Sequence, residues 1–192
     1  EIMDLLRGVI IQSGNDATIV LAEGLSGSEE AFAGAMNEKA RELGMNNSNF
    51  MNASGWPDPK HYSTARDLGK LAEALIDNHP EYYKLYSEKE FSYNDIPQQN
   101  RNPLLYQNIG ADGVKTGHTE VGGYGLIGSG VTEGPNGERR VIFVINGLES
   151  SAARAQESKK LLQWALNSFK NETLVKANAV VGKAEVLLGQ QD

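Results

Sequence analysis

The sequence predicts an α+β fold, and three observations carry that prediction. Apolar residues recur at helical spacing through the first half of the chain; from Lys89 the pattern changes to strand period; helical spacing returns between Ala152 and Phe169. The expected arrangement is an antiparallel sheet flanked by helices, with a helical subdomain ahead of it in the chain.

Taken in order, Ile2 to Ile11 reads as the apolar part of a helix, which breaks into Gln12-Ser13-Gly14-Asn15-Asp16. Glycine and asparagine tolerate positive φ, so an ordinary turn explains this run as readily as a functional site does. Ser26 with Glu29 makes a capping box, and Phe32, Met36 and Leu43 line a helix expected to stop at Gly44. Thr64 with Asp67 caps a second helix, whose Leu68, Leu71, Ala72, Leu75 and Ile76 share one face before Pro80 ends it.

The run EFSYNDIPQQ predicts strand structure turning at Asn94-Asp95. GYGLIGSGV and RRVIFVING predict an antiparallel hairpin joined through Glu133 to Gly137. The helix over Ala152 to Phe169 carries Leu161, Leu162, Ala165, Leu166 and Phe169 and should cover one face of that sheet. After Asn171 the run LVKANAVVGKAEVLL is strand-like but too short to build a core. The expected division is therefore a main domain over 1–172 and, over 173–192, the start of a small β-rich domain.

Composition narrows the function. Hydrophobic residues make up 40% and charged residues 22%, and no window approaches the run of about 18 apolar residues that crosses a bilayer. A formal charge of -7 and a pI near 5.1, with no basic stripe, argue against a nucleic-acid partner. The absence of cysteine removes disulfides, thiol catalysis and Cys-ligated zinc, and leaves the compartment open. His61 and His79 lack metal-ligand spacing, so no metal and no cofactor are expected. The chain starts at Glu1 with no signal pattern, and the expectation is that it begins inside a domain.

A second informative stretch is Val114-Lys115-Thr116-Gly117-His118-Thr119. It puts a cation, a hydroxyl and a glycine on a strand, and such an edge can pair with an extended peptide. An edge strand protected by its lysine is the competing structural explanation.

Ser13-Gly14-Asn15 after a helix, followed by Lys115-Thr116-Gly117 on a strand, resembles the second and third motifs of the penicillin-recognising serine enzymes. The runs SGNDA, GSEEAFAGAMNEKARELGM, HYSTARDL, QNRNPLL, GVKTGHTEVGGYGL and ESKKLLQW resemble the low-molecular-mass penicillin-binding proteins that act as serine-type D-alanyl-D-alanine carboxypeptidases. The resemblance covers most of residues 1 to 170 and implies a β-lactamase/transpeptidase-like fold. No serine in the sequence has a lysine three positions on, so the Ser-x-x-Lys motif that supplies nucleophile and base in that family is absent. In the family this motif precedes Ser-x-Asn, and the expectation is a partial peptidase domain that is inactive alone.

The resemblance also assigns roles. Ser13 would pass a proton toward the departing D-alanine nitrogen, and Asn15 would orient the missing lysine and the substrate amide. Lys115 would supply positive charge, Thr116 would bond the terminal carboxylate beside Gly117, and the His118 backbone N–H would form half of an oxyanion hole. Arg101 and Arg154 are candidates for holding the carboxylate. Implied partners are peptidoglycan stem peptides ending in D-Ala-D-Ala and β-lactam antibiotics, with membrane association only through segments outside this sequence. The implied location is the periplasm or the outer face of the cytoplasmic membrane. A β-lactamase on the same scaffold and a non-catalytic peptidoglycan-binding module are the alternatives. Glu42 and Asn46 spell the Glu-x-x-x-Asn of class A β-lactamases, but a solvated helix end also explains them.

Overall fold

Strands β3 (Ala111–Thr119), β4 (Gly123–Gly134) and β5 (Gly137–Leu148) form an antiparallel sheet in the order β3-β4-β5, within a computed structural model that describes residues 1–134 and 137–182. The expected hairpin is present, with β4 starting at Gly123 as expected and running on to Gly134, and β5 longer at both ends. Register pairs Lys115 with Ile127 and His118 with Tyr124 across β3 and β4, and Gly128 with Phe143 across β4 and β5. A side chain at Gly128 would put Cβ 2.3 Å from the Phe143 ring, so the glycine is what leaves room for that ring against the sheet.

Helices lie on both faces of the sheet. On one, α6 (Ser151–Asn167) joins Leu162 and Leu166 to Leu104, Leu126 and Phe143. Its start is fixed by the Ser150 hydroxyl, which accepts from the Ala153 N–H. Phe169 departs from expectation. It lies past the helix end, half-exposed and edge-on to Trp164, because α6 closes at Asn167 before another turn can carry it to the core. On the other face, α4 (Ala65–Asn78) and α5 (Pro80–Tyr83) pack Ala72, Ile76 and Tyr83 around Val114. The Thr64 cap is present, its hydroxyl accepting from the Asp67 N–H. Pro80 follows the end of α4 and opens α5, as its preset φ allows.

Ahead of the sheet, α1 (Ile2–Arg7) runs into a π-helical turn over Gly8–Gln12, followed by α2 (Asn15–Ser26) and α3 (Glu29–Glu42). The expected cap at Ser26 is corrected by one turn geometry. Gly27 is left-handed at φ 79° and closes α2, so Ser28 becomes the cap of α3 and accepts from the Ala31 N–H. Glu29 is then free to accept from the Ala53 N–H. Glu42 pairs with Lys39 on the exposed end of α3, as a solvated helix end would.

Strands β1 (Glu90–Tyr93) and β2 (Ile96–Gln99) form a separate hairpin, with Asn94 and Asp95 both at positive φ in its turn. Arg7 clasps Glu88 through one guanidinium edge, Nε and Nη2 donating at 2.7 and 3.0 Å, tying α1 to the base of this hairpin. Residues 168–182 contain no helix or strand, and the rest of the strand-like run expected there lies outside the described residues. Among the described residues no helix is long and apolar enough to cross a membrane.

Candidate active site

The π turn ends on Ser13, whose backbone is left-handed at φ 61° and ψ 42°. The Gly8 carbonyl accepts from both the Ser13 and Gly14 N–H groups, the latter at 3.0 Å. A π turn holds one more residue than an α-turn, and that surplus swings Ser13 out of the helical path toward the sheet. Asn15 then opens α2 and is exposed.

Lys115 meets Ser13 from β3, the edge strand of its sheet. Its Nζ donates to Ser13 Oγ at 2.7 Å and to the Thr116 carbonyl at 3.0 Å. Burial, then the nearby charges of Arg101 and Arg154, bring its pKa down from 10.5 to about 8. The amine is therefore poised to exchange a proton near neutral pH.

The other expected residues gather around this pair to different degrees. Arg154 projects from the first turn of α6, is buried, and reaches the Gly117 carbonyl with Nη1 at 3.3 Å and Ser151 Oγ with Nη2 at 3.4 Å. Arg101 is exposed and acts on Lys115 through its charge. Thr116 is buried, whereas Gly117 and His118 are exposed, and a Cβ at Gly117 would meet nothing within 4 Å. The surface over Gly117 is open to an approaching chain. Asn15 is not a partner of the Lys115 ammonium, which is taken by Ser13 and the Thr116 carbonyl.

Three features were not read from the sequence. The π turn has no sequence signature. Tyr124 sits directly across from His118, a relation that appears only once the β3–β4 register is known. At the start of β3, Asp112 accepts from Tyr83 Oη at 3.0 Å and from Arg140 Nη1 at 2.6 Å, and the same Arg140 nitrogen donates to Ser129 at 2.7 Å. This network ties β3 to β4, β5 and α5 just ahead of Lys115. Burial pushes the Tyr83 hydroxyl pKa well up, so it stays a neutral donor.

Comparison with known proteins places this geometry. The family model of peptidase S11, described as D-alanyl-D-alanine carboxypeptidase, matches residues 1–149. The D-alanyl-D-alanine carboxypeptidase DacC of Escherichia coli is 43% identical over 192 residues, covering 100% of this chain and 47% of that protein. The crystal structure of penicillin binding protein 5 from Haemophilus influenzae superposes with a TM-score of 0.79 at 47% identity, over 84% of this chain and 46% of that one. Penicillin-binding protein D2 from Listeria monocytogenes, solved in a cefotaxime-bound form, superposes at 0.76 with 31% identity, over 85% of this chain and 65% of that one. The neighbours are penicillin-binding proteins, and with them the fold is of the transpeptidase/β-lactamase type that the motifs implied. The chain spans about half the length of the curated relatives it matches. With its Ser13-Gly14-Asn15 turn facing Lys115-Thr116-Gly117 on an edge strand, the chain belongs to the D-alanyl-D-alanine carboxypeptidase family of serine peptidases.

Proposed function

We propose that this chain forms the proton-transfer and substrate-docking half of a D-alanyl-D-alanine carboxypeptidase site, which cleaves the terminal D-alanine from peptidoglycan stem peptides and is acylated by β-lactams. The observation that carries the reading is the 2.7 Å contact between Lys115 Nζ and Ser13 Oγ. Because Lys115 donates into Ser13, the Ser13 hydroxyl proton is left to point at an incoming group.

The chemistry follows from that polarity. A serine nucleophile gives its proton to a base and attacks the carbonyl carbon of the penultimate D-alanine; the tetrahedral intermediate then expels the terminal D-alanine, whose nitrogen needs a proton. Ser13 donates that proton and is resupplied from Lys115, whose lowered pKa makes the transfer cheap. Water then hydrolyses the acyl-enzyme. Asn15 orients the substrate amide, and the His118 N–H faces the oxyanion. Thr116 and the positive field of Lys115, Arg101 and Arg154 take the leaving carboxylate. The open face at Gly117 lets an extended peptide lie along the β3 edge.

No Ser-x-x-Lys occurs in these 192 residues, so nucleophile and base come from a segment other than this one. Such an enzyme works where peptidoglycan lies, outside the cytoplasmic membrane. The β-lactam partner is supported by the cefotaxime-bound form of the Listeria neighbour. The division at residue 172, with a β-rich domain starting at 173, is proposed from sequence alone.

The test incubates penicillin with residues 1–192 alone and with the same residues joined to a segment bearing Ser-x-x-Lys, and reads intact mass. The expected result is an adduct only on the added serine, and release of D-alanine from an acyl-D-Ala-D-Ala peptide by the joined protein. An adduct on residues 1–192 alone would overturn the assignment of the nucleophile. Rapid penicillin turnover without D-alanine release would overturn the carboxypeptidase in favour of a β-lactamase.

A further inference from the structure

Arg154 is an unusual buried cation. Its two hydrogen bonds are both long, at 3.3 and 3.4 Å, and its buried Nε–H has no partner among the described residues. Neither bond is strong enough to hold a long side chain with several rotatable bonds in one orientation. The face of Tyr124 lies under it, the ring centroid 5.5 Å from the guanidinium carbon. On the same strand pair His118 stacks on Tyr124 with ring centroids 3.9 Å apart and planes inclined by 31°. His118, Tyr124 and Arg154 are thus bound together by one ring, next to Gly117.

We propose that Tyr124 is a positioning residue that clamps Arg154 in the orientation from which it tells a free C-terminal carboxylate from a capped one. This rests on the carboxypeptidase reading above and makes it more specific: the site is built for the chain end, and Tyr124 sets that preference through Arg154. An arginine whose Nη groups make only long bonds gains a strong charge-assisted bond when a carboxylate arrives and gains far less from a neutral amide. The discrimination survives only if the guanidinium is fixed, since a mobile one must be ordered on binding at an entropic cost.

Two measurements separate the clamp from the reading beneath it. In ligand-free protein the Arg154 Nε–H should give a single, exchange-protected NMR signal that is lost in Tyr124→Leu and recovered in Tyr124→Phe, which keeps the π face. In titrations, the wild-type preference for N-acetyl-D-alanyl-D-alanine over its C-terminal amide should fall about 3- to 30-fold in Tyr124→Leu, the range expected for losing a cation–π contact. Tyr124→Phe should restore most of it, and Tyr124→Leu added to Arg154→Gln should lower the ratio no further. If Tyr124→Leu does not fold, Tyr124→Met fills similar volume without a π face and takes its place. An unchanged Nε–H signal in the variant overturns the clamp; an unchanged ratio, or one that falls further in the Arg154→Gln background, overturns the specificity role. A protected Nε–H in a protein that binds neither ligand overturns the carboxypeptidase reading, and the specificity role with it, while leaving the clamp standing.

Discussion

Lys115 and Ser13, 102 positions apart in sequence, share a hydrogen bond of 2.7 Å in which the lysine is the donor. A backbone in the left-handed region brings the serine there, and an edge strand brings the lysine. The left-handed backbone at Ser13 costs stability, as expected where function sets the arrangement.

In the protein completed with a Ser-x-x-Lys segment, Lys115→Ala should lower acylation by peptides and penicillin about 10²- to 10³-fold, as loss of a positioned electrostatic group does. Ser13→Ala should lower it by about 10²- to 10⁴-fold if Ser13 carries the proton. The double variant should be far from additive, because the two residues act as one relay. Stopped-flow acylation rates check this; wild-type rates in either single variant would remove the relay.

The alkaline limb of the acylation profile should fall near pH 8, where Lys115 loses its proton. Arg101 lowers that pKa as a like charge, so Arg101→Gln should move the limb to higher pH. Arg101 is exposed, so added salt should shrink the difference. A limb that stays fixed in Arg101→Gln at low salt would show that another group controls it.

The same lysine should shape stability. Its pKa falls on folding from 10.5 to about 8, so below pH 8 it is charged in both states and its burial penalty is fully present. Between pH 8 and 10.5 the unfolded chain binds more protons, and stability should rise with pH, by an upper bound of about 3 kcal/mol. Lys115→Met should flatten that rise and raise stability at pH 7. Urea midpoints from pH 7 to 10 provide the measurement, and an unchanged slope in the variant would contradict the assignment.

Gly128→Ala should destabilise the sheet by about 1–3 kcal/mol through overpacking, because its Cβ would collide with the Phe143 ring. Phe143→Leu should recover part of that loss when combined with it, although alone it opens space in the core. Thermal or urea unfolding of the four proteins in this cycle tests the point. A neutral Gly128→Ala would mean that the ring moves aside freely.

The sequence carried the periodic parts of this fold and the chemical types at the site. The α4 stripe, apart from Leu71, which is exposed, the Thr64 cap and the β4–β5 hairpin follow from spacing and turn residues alone, because local periodicity reports which face is buried. Ser13 and Lys115 were legible as motifs because both segments are short and chemically unusual. What stayed hidden depends on register and on irregular backbone. Tyr124 is one tyrosine among several until β3 and β4 are aligned, and only then is it opposite His118. Ser28 displaced Ser26 as a cap because a left-handed Gly27 lies between them, a choice that composition does not force. The burial of Arg154 comes from tertiary packing against the end of β3, which helical spacing does not report.

The π turn over Gly8–Gln12 makes the spacing ahead of Ser13 intolerant of indels. One residue removed there turns the segment into ordinary α-helix and takes away the surplus that swings Ser13 toward Lys115. One residue added demands a second bulge. An alignment gap between the positions of Gly8 and Ser13 should therefore mark the homologues that have given up this chemistry.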